Sequence, residues 1–329
     1  ILPIIIFIRM IVAGLKKRRD LKPGKTIIAE YEPPAGMMPT LVGSLEDGKV
    51  DNSDITAGLI SAAEQGFVKI TRIEKKWFLG SADYELTLLK PVIALPQITE
   101  QKIVEYFMEN KNVGETIALS SLNKTSFAKN IADLKKDIYK EMVKRGFFTK
   151  NPSNRKIGYM VLGTILLFGA ITVGVALYSL HAGLAVLATG LLTFIWPFVV
   201  SVRTIAGGDV RRHILGFKKF ISVTDKDRFA FHDAPEKNPE QFMQYLPFAI
   251  ALGVEEKWAK QFEGMFIPAP TWYDGANGAA FSAESFARDM AMFTAFSSTA
   301  ATPKSSGSGF SSGGGFSGGG GGGGGGGSW

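Results

Sequence analysis

Cysteine is absent from this 329-residue chain. That excludes a disulfide framework, a thiolate nucleophile and any Cys-ligated metal, and it fits a reducing compartment. Histidine is nearly absent: His181, His213 and His232 fall on three different segments, so neither an HExxH helix nor a local histidine cluster occurs. The sequence has no GxxxxGK[ST] phosphate loop, no GxGxxG after a strand and no Ser-centred nucleophile elbow. The expectation is a protein that is not an enzyme, with no catalytic residues, no cofactor and no metal. One further absence is local: from Ile157 to Val202 there is no Asp, Glu, Lys or Arg.

That stretch holds two apolar blocks, Ile157–Leu180 and Ala182–Val202, separated only by His181. At a helical rise of about 1.5 Å per residue each reaches about 30 to 36 Å, enough to cross a bilayer core. Backbone groups in lipid must be satisfied within the segment, so a transmembrane helical hairpin is expected over 157–202. No Asp, Glu, Lys or Arg lies inside it, hence no proton relay or ion pathway is indicated. Ala170 and Gly174 form a small-xxx-small pair suited to close helix packing. His181 reads as a polar turn residue at the tip, and Pro197 as a kink near the exit.

The chain opens on Ile1–Leu15, apolar except for Arg9 and trailed by Lys16-Lys17-Arg18-Arg19. A secretory signal carries its charge before the apolar core, so this order reads as the end of a transmembrane helix, with Arg9 snorkelling to the interface. The alternative is a short buried or interfacial helix, because so few residues do not span alone. Lys16–Arg19, Arg155, Lys156, Arg203, Arg211 and Arg212 flank the apolar segments, while the His181 turn carries no Lys or Arg. Loops rich in Lys and Arg stay cytoplasmic. The expected arrangement is a multi-pass protein of the cell (inner) membrane, with 16–156 and 203–329 in the cytoplasm. The net charge of +7 is uneven: 16–156 holds 24 Lys/Arg against 18 Asp/Glu, whereas 203–329 holds 12 of each.

Within 16–156, Glu30–Pro39 (EYEPPAGMMP) cannot be helical. After the Asp47-Gly48 turn signal, Asp54 can cap a helix with Ile55, Leu59, Ile60 and Ala63 on one face, ended by Gly66. Phe67–Thr71 and Tyr84–Leu89 then read as an antiparallel hairpin. A helix leading into such a hairpin suits the second half of a winged-helix unit. Further helices are expected from Thr99, and over Ser126–Lys144 with Phe127, Ile131, Leu134, Ile138 and Met142 in register. EQGFVKI and VKRGFFTK hint at a repeat of helix, glycine and aromatic strand. The last helix carries a basic face, Lys124, Lys129, Lys136, Lys140, Lys144 and Arg145, with Lys135 beside it. This face is the candidate contact for anionic lipid or nucleic acid. It also fits an ordinary solvated face, offset in part by Asp133, Asp137 and Glu141.

Past the hairpin, Val210–Ile221 reads as a basic amphipathic helix near the membrane surface. Asn238-Pro239 starts a helix that Pro247 is expected to break, with Phe248–Val254 and Glu255–Phe262 coming next. Trp258, Phe262, Trp272 and Tyr273 read as core in preference to a binding platform, and Glu284–Phe296 as one more helix. From Thr302 the sequence is Ser/Gly with Phe310 and Phe316, ending in ten glycines, Ser328 and Trp329. Ordering glycine costs much backbone freedom, so a disordered tail is expected, with Trp329 as a candidate docking element.

The fold class read from these patterns is an α+β membrane protein: a transmembrane helical hairpin, the end of an N-terminal transmembrane helix, a winged-helix-like cytoplasmic α+β domain and a C-terminal helical segment. The divisions are 1–15, 16–156, 157–202, 203–300 and 301–329. YEPPAGMMP, DGKVDNSDITAGLISAAEQGFVKI, LPFAIALGVEEKWAKQF and the glycine-rich end closing in SW resemble the predicted bacterial membrane protein family called domain of unknown function 2207, over most of residues 26–329. Members of that family begin with a signal peptide and an extracytoplasmic β-rich domain before a first span, and the apolar start here is expected to be the end of that span. The resemblance implies architecture and location and carries over no activity or catalytic residues. The expected function is a non-enzymatic interaction or signalling module whose partners are the lipid bilayer and another protein. A membrane-tethered nucleic-acid binder ranks below it, and a component of a transport or hydrolase complex lowest.

Overall fold

A computed structural model describes residues 26–73, 83–199, 203–223, 237–275 and 281–301, together with Val12. The expected first span and the glycine-rich tail with Trp329 lie outside the described residues.

Helix α1 (Pro39–Asp47) starts on a proline, whose missing N–H suits a first turn, and ends at Gly48 in the left-handed region at φ 83°. Helix α2 (Asn52–Glu64) comes next. Its N-cap is Asp51, and Asp54 closes a capping box from the third position, so the helix begins one turn before the cap expected at Asp54. Every residue from Asp54 to Ala63 is buried, which makes α2 the central helix of the body. Gly66, at φ 76°, turns the chain into strand β1 (Val68–Ile73), which pairs antiparallel with β2 (Asp83–Leu88), Val68 opposite Leu88. Helix α3 (Ile98–Met108), strand β3 (Thr116–Ala118) and helix α4 (Lys124–Lys144) complete this half. Asn123 caps α4 through its side chain, and Phe127, Ile131, Leu134, Ile138 and Met142 form the buried stripe expected from their spacing.

Helices α5 (Pro152–Ala176) and α6 (Leu180–Val199) pack against each other. Among the described residues α5 is the one helix long and apolar enough to cross a membrane, and Leu180–Trp196 is a shorter apolar helix. The turn between them is Leu177-Tyr178-Ser179, with Tyr178 at φ 45°, and His181 lies in the first turn of α6 instead of at the tip. A Cβ on Gly183 would come within 3.2 Å of the Ala170 carbonyl oxygen, so the small pair Ala170/Gly174 does set the close approach. The outward faces are bare: Phe168 is 75% exposed and Ile171 72%. Among the described residues no other segment covers these faces, and an apolar surface of this extent is of the kind that meets lipid or another protein.

After the pair come α7 (Ile205–Ser222), α8 (Pro239–Ala251), α9 (Glu255–Lys260), strand β4 (Tyr273–Asp274) and α10 (Ala283–Ala300). Strand β4 pairs parallel with β1, Ile70 opposite Tyr273, giving a four-stranded sheet in the order β3-β2-β1-β4. The segments before and after the helix pair, read from sequence as separate units, share a single hydrophobic core. Two further expectations are corrected. Ile214, Phe217, Phe220 and Ile221 of α7 are buried in that core, so the helix turns its apolar face to protein and not to the membrane surface. Helix α8 runs through Pro247 without ending, its ring buried in the core, so packing offsets the backbone bond that proline cannot donate. The chain is mixed α/β, mostly helical, with a small sheet.

The helix pair joins the body at a neck. Phe148 forms an isolated antiparallel bridge with Arg203, in place of the strand expected at Phe147-Phe148. The Thr204 N–H donates to the Phe147 carbonyl at 3.0 Å, and its hydroxyl reaches the carbonyl of Gly146. Gly207 is required here, since a Cβ would overlap the Phe147 carbonyl.

Candidate functional site

Four carboxylates, Glu46, Asp47, Asp51 and Asp54, fall between the end of α1 and the start of α2, because one helix ends and the next is capped there. The end of α8 (Ile250–Gly253), Glu255 at the start of α9, and Ala291 and Thr294 of α10 close a cavity of about 320 Å³ around them. Asp51 and Asp54 sit favourably at a helix N-terminus. Glu46 and Asp47 sit unfavourably at a C-terminus, and cations offset this. The Arg203 guanidinium donates to the carbonyls of Leu45 and Glu46 at 3.1 Å each, Arg211 Nε donates to the Glu46 carbonyl at 2.6 Å, and Lys218 Nζ lies 3.6 Å from the Glu46 carboxylate.

Asp54 is buried, and its Oδ2 accepts from Ser44 Oγ at 3.0 Å and from the Asp51 N–H at 2.9 Å. Burial pushes its carboxyl well above the usual carboxylate range, outweighing both hydrogen bonds. Asp47 and Glu255 are raised too, burial first in each case, and Glu255 Oε2 is buried without a hydrogen-bond partner. Lys135, half-buried on α4, feels the Asp51 and Asp54 charges, yet burial wins and lowers its pKa. The floor is tight: a Cβ on Gly43 would meet Asp54 Oδ1 and lie 2.8 Å from the Ala251 carbonyl oxygen. The cleft is therefore a carboxyl-lined recess in which burial disfavours the charged forms of Asp47, Asp54 and Glu255, and in which a cationic group would favour them. Among the described residues no three His, Cys, Asp or Glu side chains converge closely enough to hold a metal ion.

Lys124, Lys129, Lys136, Lys140, Lys144 and Arg145 all lie exposed on α4 or at its C-cap. Three are engaged along the helix: Lys136 with Asp133 at 2.8 Å, Lys140 with Asp137 at 2.9 Å and Arg145 with Glu141 at 2.8 Å. Lys102 of α3 also binds Asp137, at 2.5 Å. The stripe is thus laced with acids and does not form a continuous cationic surface. The aromatics Trp258, Phe262, Trp272 and Tyr273 are buried core, with Trp258 and Phe262 edge-to-face at 4.7 Å. The acidic cleft was missed in the sequence, although the acids at 46, 47, 51 and 54, crowded around Gly48 and the cap, were its visible half.

A second polar knot ties the sheet together. Asp289 of α10 accepts from Arg72 Nη1 at 2.6 Å and from the Tyr273 hydroxyl at 2.9 Å, joining β1 to β4. Burial, with the Asp289 charge behind it, drives the Tyr273 phenol well above its ordinary range.

A search of curated proteins and of solved structures finds no match to this chain. One family model does match: that of the predicted membrane protein (DUF2207) C-terminal domain, over residues 27–262. This covers the neck, the helix pair and most of both flanking segments, and leaves the glycine-rich end outside. By that match the chain belongs to the family of the predicted membrane protein (DUF2207) C-terminal domain.

Proposed function

We propose that the chain is a multi-pass protein of the cell (inner) membrane whose α5–α6 hairpin spans the bilayer and whose body, 26–148 with 203–301, is a cytoplasmic interaction or signalling module without catalytic activity. The carrying observation is the single core shared by the two segments that flank the hairpin. Segments packed into one core lie on one side of a membrane, and the basic flanks Arg155, Lys156, Arg203, Arg211 and Arg212 favour the cytoplasmic side. The acidic cleft is the surface best suited to a partner, taking a basic segment of another protein beside the membrane.

Single cysteines introduced at Lys69 and His181 test the arrangement with an impermeant thiol reagent in intact cells. We expect no reaction at Lys69→Cys and reaction at His181→Cys, and the opposite result overturns the topology. Affinity capture from gently solubilised membranes, with wild type and with Asp51→Lys/Glu255→Lys, tests the cleft. A basic partner lost only in the double variant supports the reading, and an unchanged set of partners overturns it.

The nucleic-acid reading ranks second. Support for a winged-helix likeness comes from α2 leading into the β1–β2 hairpin. Against groove reading stands the burial of α2 from Asp54 to Ala63, which leaves that helix no face for DNA. Salt-sensitive, sequence-selective duplex binding by the solubilised chain would reverse the ranking. A role in a transport or hydrolase complex has no charged side chain within the hairpin to support it.

A further inference from the structure

The segment Leu89–Ile98 (LKPVIALPQI) is apolar apart from Lys90 and Gln97 and contains no acid. It is nevertheless built, not loose. Val92–Ala94 form a 3-10 turn, Leu95 is buried beneath it, and Gln101 Nε2 donates to the Leu95 carbonyl at 2.8 Å. Above this base Ile93 is 80% exposed and Ile98 70%. A rigid turn presenting two isoleucines to water keeps apolar surface uncovered that burial elsewhere would stabilise.

Its position says what covers it. Gln97 Oε1 lies 3.5 Å from Arg145 Nη2, and Arg145 also donates to the Gly36 carbonyl at 3.2 Å. The next residue, Gly146, accepts the Thr204 hydroxyl at the neck, where the helix pair begins and ends. Ile205, the first residue of α7, is likewise exposed at that neck. Two exposed cations adjoin these apolar groups: Lys90 within the turn, its Nζ donating to the Gln65 carbonyl, and Arg145, which reaches Gln97 while paired with Glu141. Isoleucine tips flanked by Lys90 and Arg145, next to the root of a spanning hairpin, match the composition of an interfacial anchor on anionic lipid. We propose that the Leu89–Ile98 turn rests on the cytoplasmic leaflet, with Ile93 and Ile98 entering the headgroup zone and Lys90 and Arg145 beside them meeting anionic lipid. The inference rests on the spanning role of α5 and α6, and it fixes the tilt of the body: a second contact beside the neck prevents it from swinging freely.

The cysteine-free chain suits a depth measurement. Ile93→Cys, Phe168→Cys and Phe266→Cys in the full chain are each labelled with an environment-sensitive fluorophore and reconstituted into phosphatidylcholine–phosphatidylglycerol vesicles. Nitroxide lipids then quench from shallow or deep positions. Phe266 is an exposed apolar control. It lies just past Gln261, which bonds the carbonyl of Ile221 at the end of α7, about 24 Å from Ile205 at the neck. We expect the Phe168→Cys label to be quenched from deep nitroxides, the Ile93→Cys label to shift blue and lose most of its emission to shallow nitroxides, and the Phe266→Cys label to respond to neither. Quenching at Phe168→Cys with none at Ile93→Cys overturns the seating while leaving the hairpin standing. Quenching at neither site removes the spanning reading and this inference together. A blue shift at Ile93→Cys that grows with protein density and ignores lipid nitroxide means a second copy covers the turn, and also overturns it.

Discussion

Phe148 and Arg203, 55 residues apart in sequence, face each other in an antiparallel bridge. The Arg203 guanidinium lies 5.8 Å from the centre of the Phe148 ring and holds the last carbonyls of α1. One residue therefore clamps the chain entering the helix pair, the chain leaving it and the acidic cleft.

Arg203→Ala should cost about 2 kcal/mol of body stability, since charge-assisted hydrogen bonds to buried carbonyls are lost. Arg203→Lys should recover part of it: both carbonyls accept from the single nitrogen Nη2, a donor that an ammonium replaces, but with a more strongly hydrated head on a different reach. Denaturant unfolding of the detergent-solubilised chain measures both. An alanine variant as stable as wild type would refute the clamp.

Asp54 predicts a pH dependence. Its folded pKa lies above the ordinary 3.8, so the folded carboxyl keeps its proton to a higher pH than the unfolded one. Its contribution to stability is intact below the unfolded value and declines as pH rises toward the raised folded value. Asp54→Asn keeps an acceptor for Ser44 and the Asp51 N–H and removes the titration. The difference in unfolding free energy between variant and wild type should favour the variant increasingly from about pH 4 upward. A difference independent of pH would show that Asp54 is not held protonated.

Gly43→Ala should destabilise the body by about 1 to 3 kcal/mol, because the added methyl meets Asp54 and the Ala251 carbonyl together. Gly43→Ala combined with Asp54→Ala should cost less than the sum of the two single changes, as neighbours sharing one space do. Additive costs would mean that the two groups do not compete.

Asp289→Ala strands Arg72 and the Tyr273 hydroxyl and should cost about 2 to 3 kcal/mol. Tyr273→Phe removes one hydrogen bond and should cost about 1 kcal/mol. Hydrogen exchange at the Ile70 N–H, which donates to the Trp272 carbonyl at 2.8 Å, should speed up in Asp289→Ala if the knot holds β4 to β1. Unchanged exchange there would place the loss elsewhere.

Local periodicity made much of the fold legible. The stripe from Phe127 to Met142 predicted α4 and its buried face, and the glycines at 66 and 146 marked the ends of two helices, both with positive φ. What escaped was long-range. Strand β4 is two residues long and gains its place only by pairing with β1, some two hundred residues earlier, so no run of alternation announced it. The apolar face of α7 has the same spacing whether it meets lipid or protein, and only the packing of Phe217 against Tyr245, ring centres 5.2 Å apart, decides for protein. The cleft was illegible for the same reason, since Glu255 joins Asp51 and Asp54 from the far side of the hairpin.

The placement of β4 has a consequence for biogenesis. A ribosome delivers 26–148 first, then the helix pair, and only afterwards Tyr273 and Asp289, which complete the sheet. The first half must wait with one edge of β1 open and its central helix α2 lacking the cover of α8 and α10. In the proposed topology membrane insertion precedes completion of the body, and the helix pair serves in the meantime as a tether that keeps the two halves at high mutual concentration.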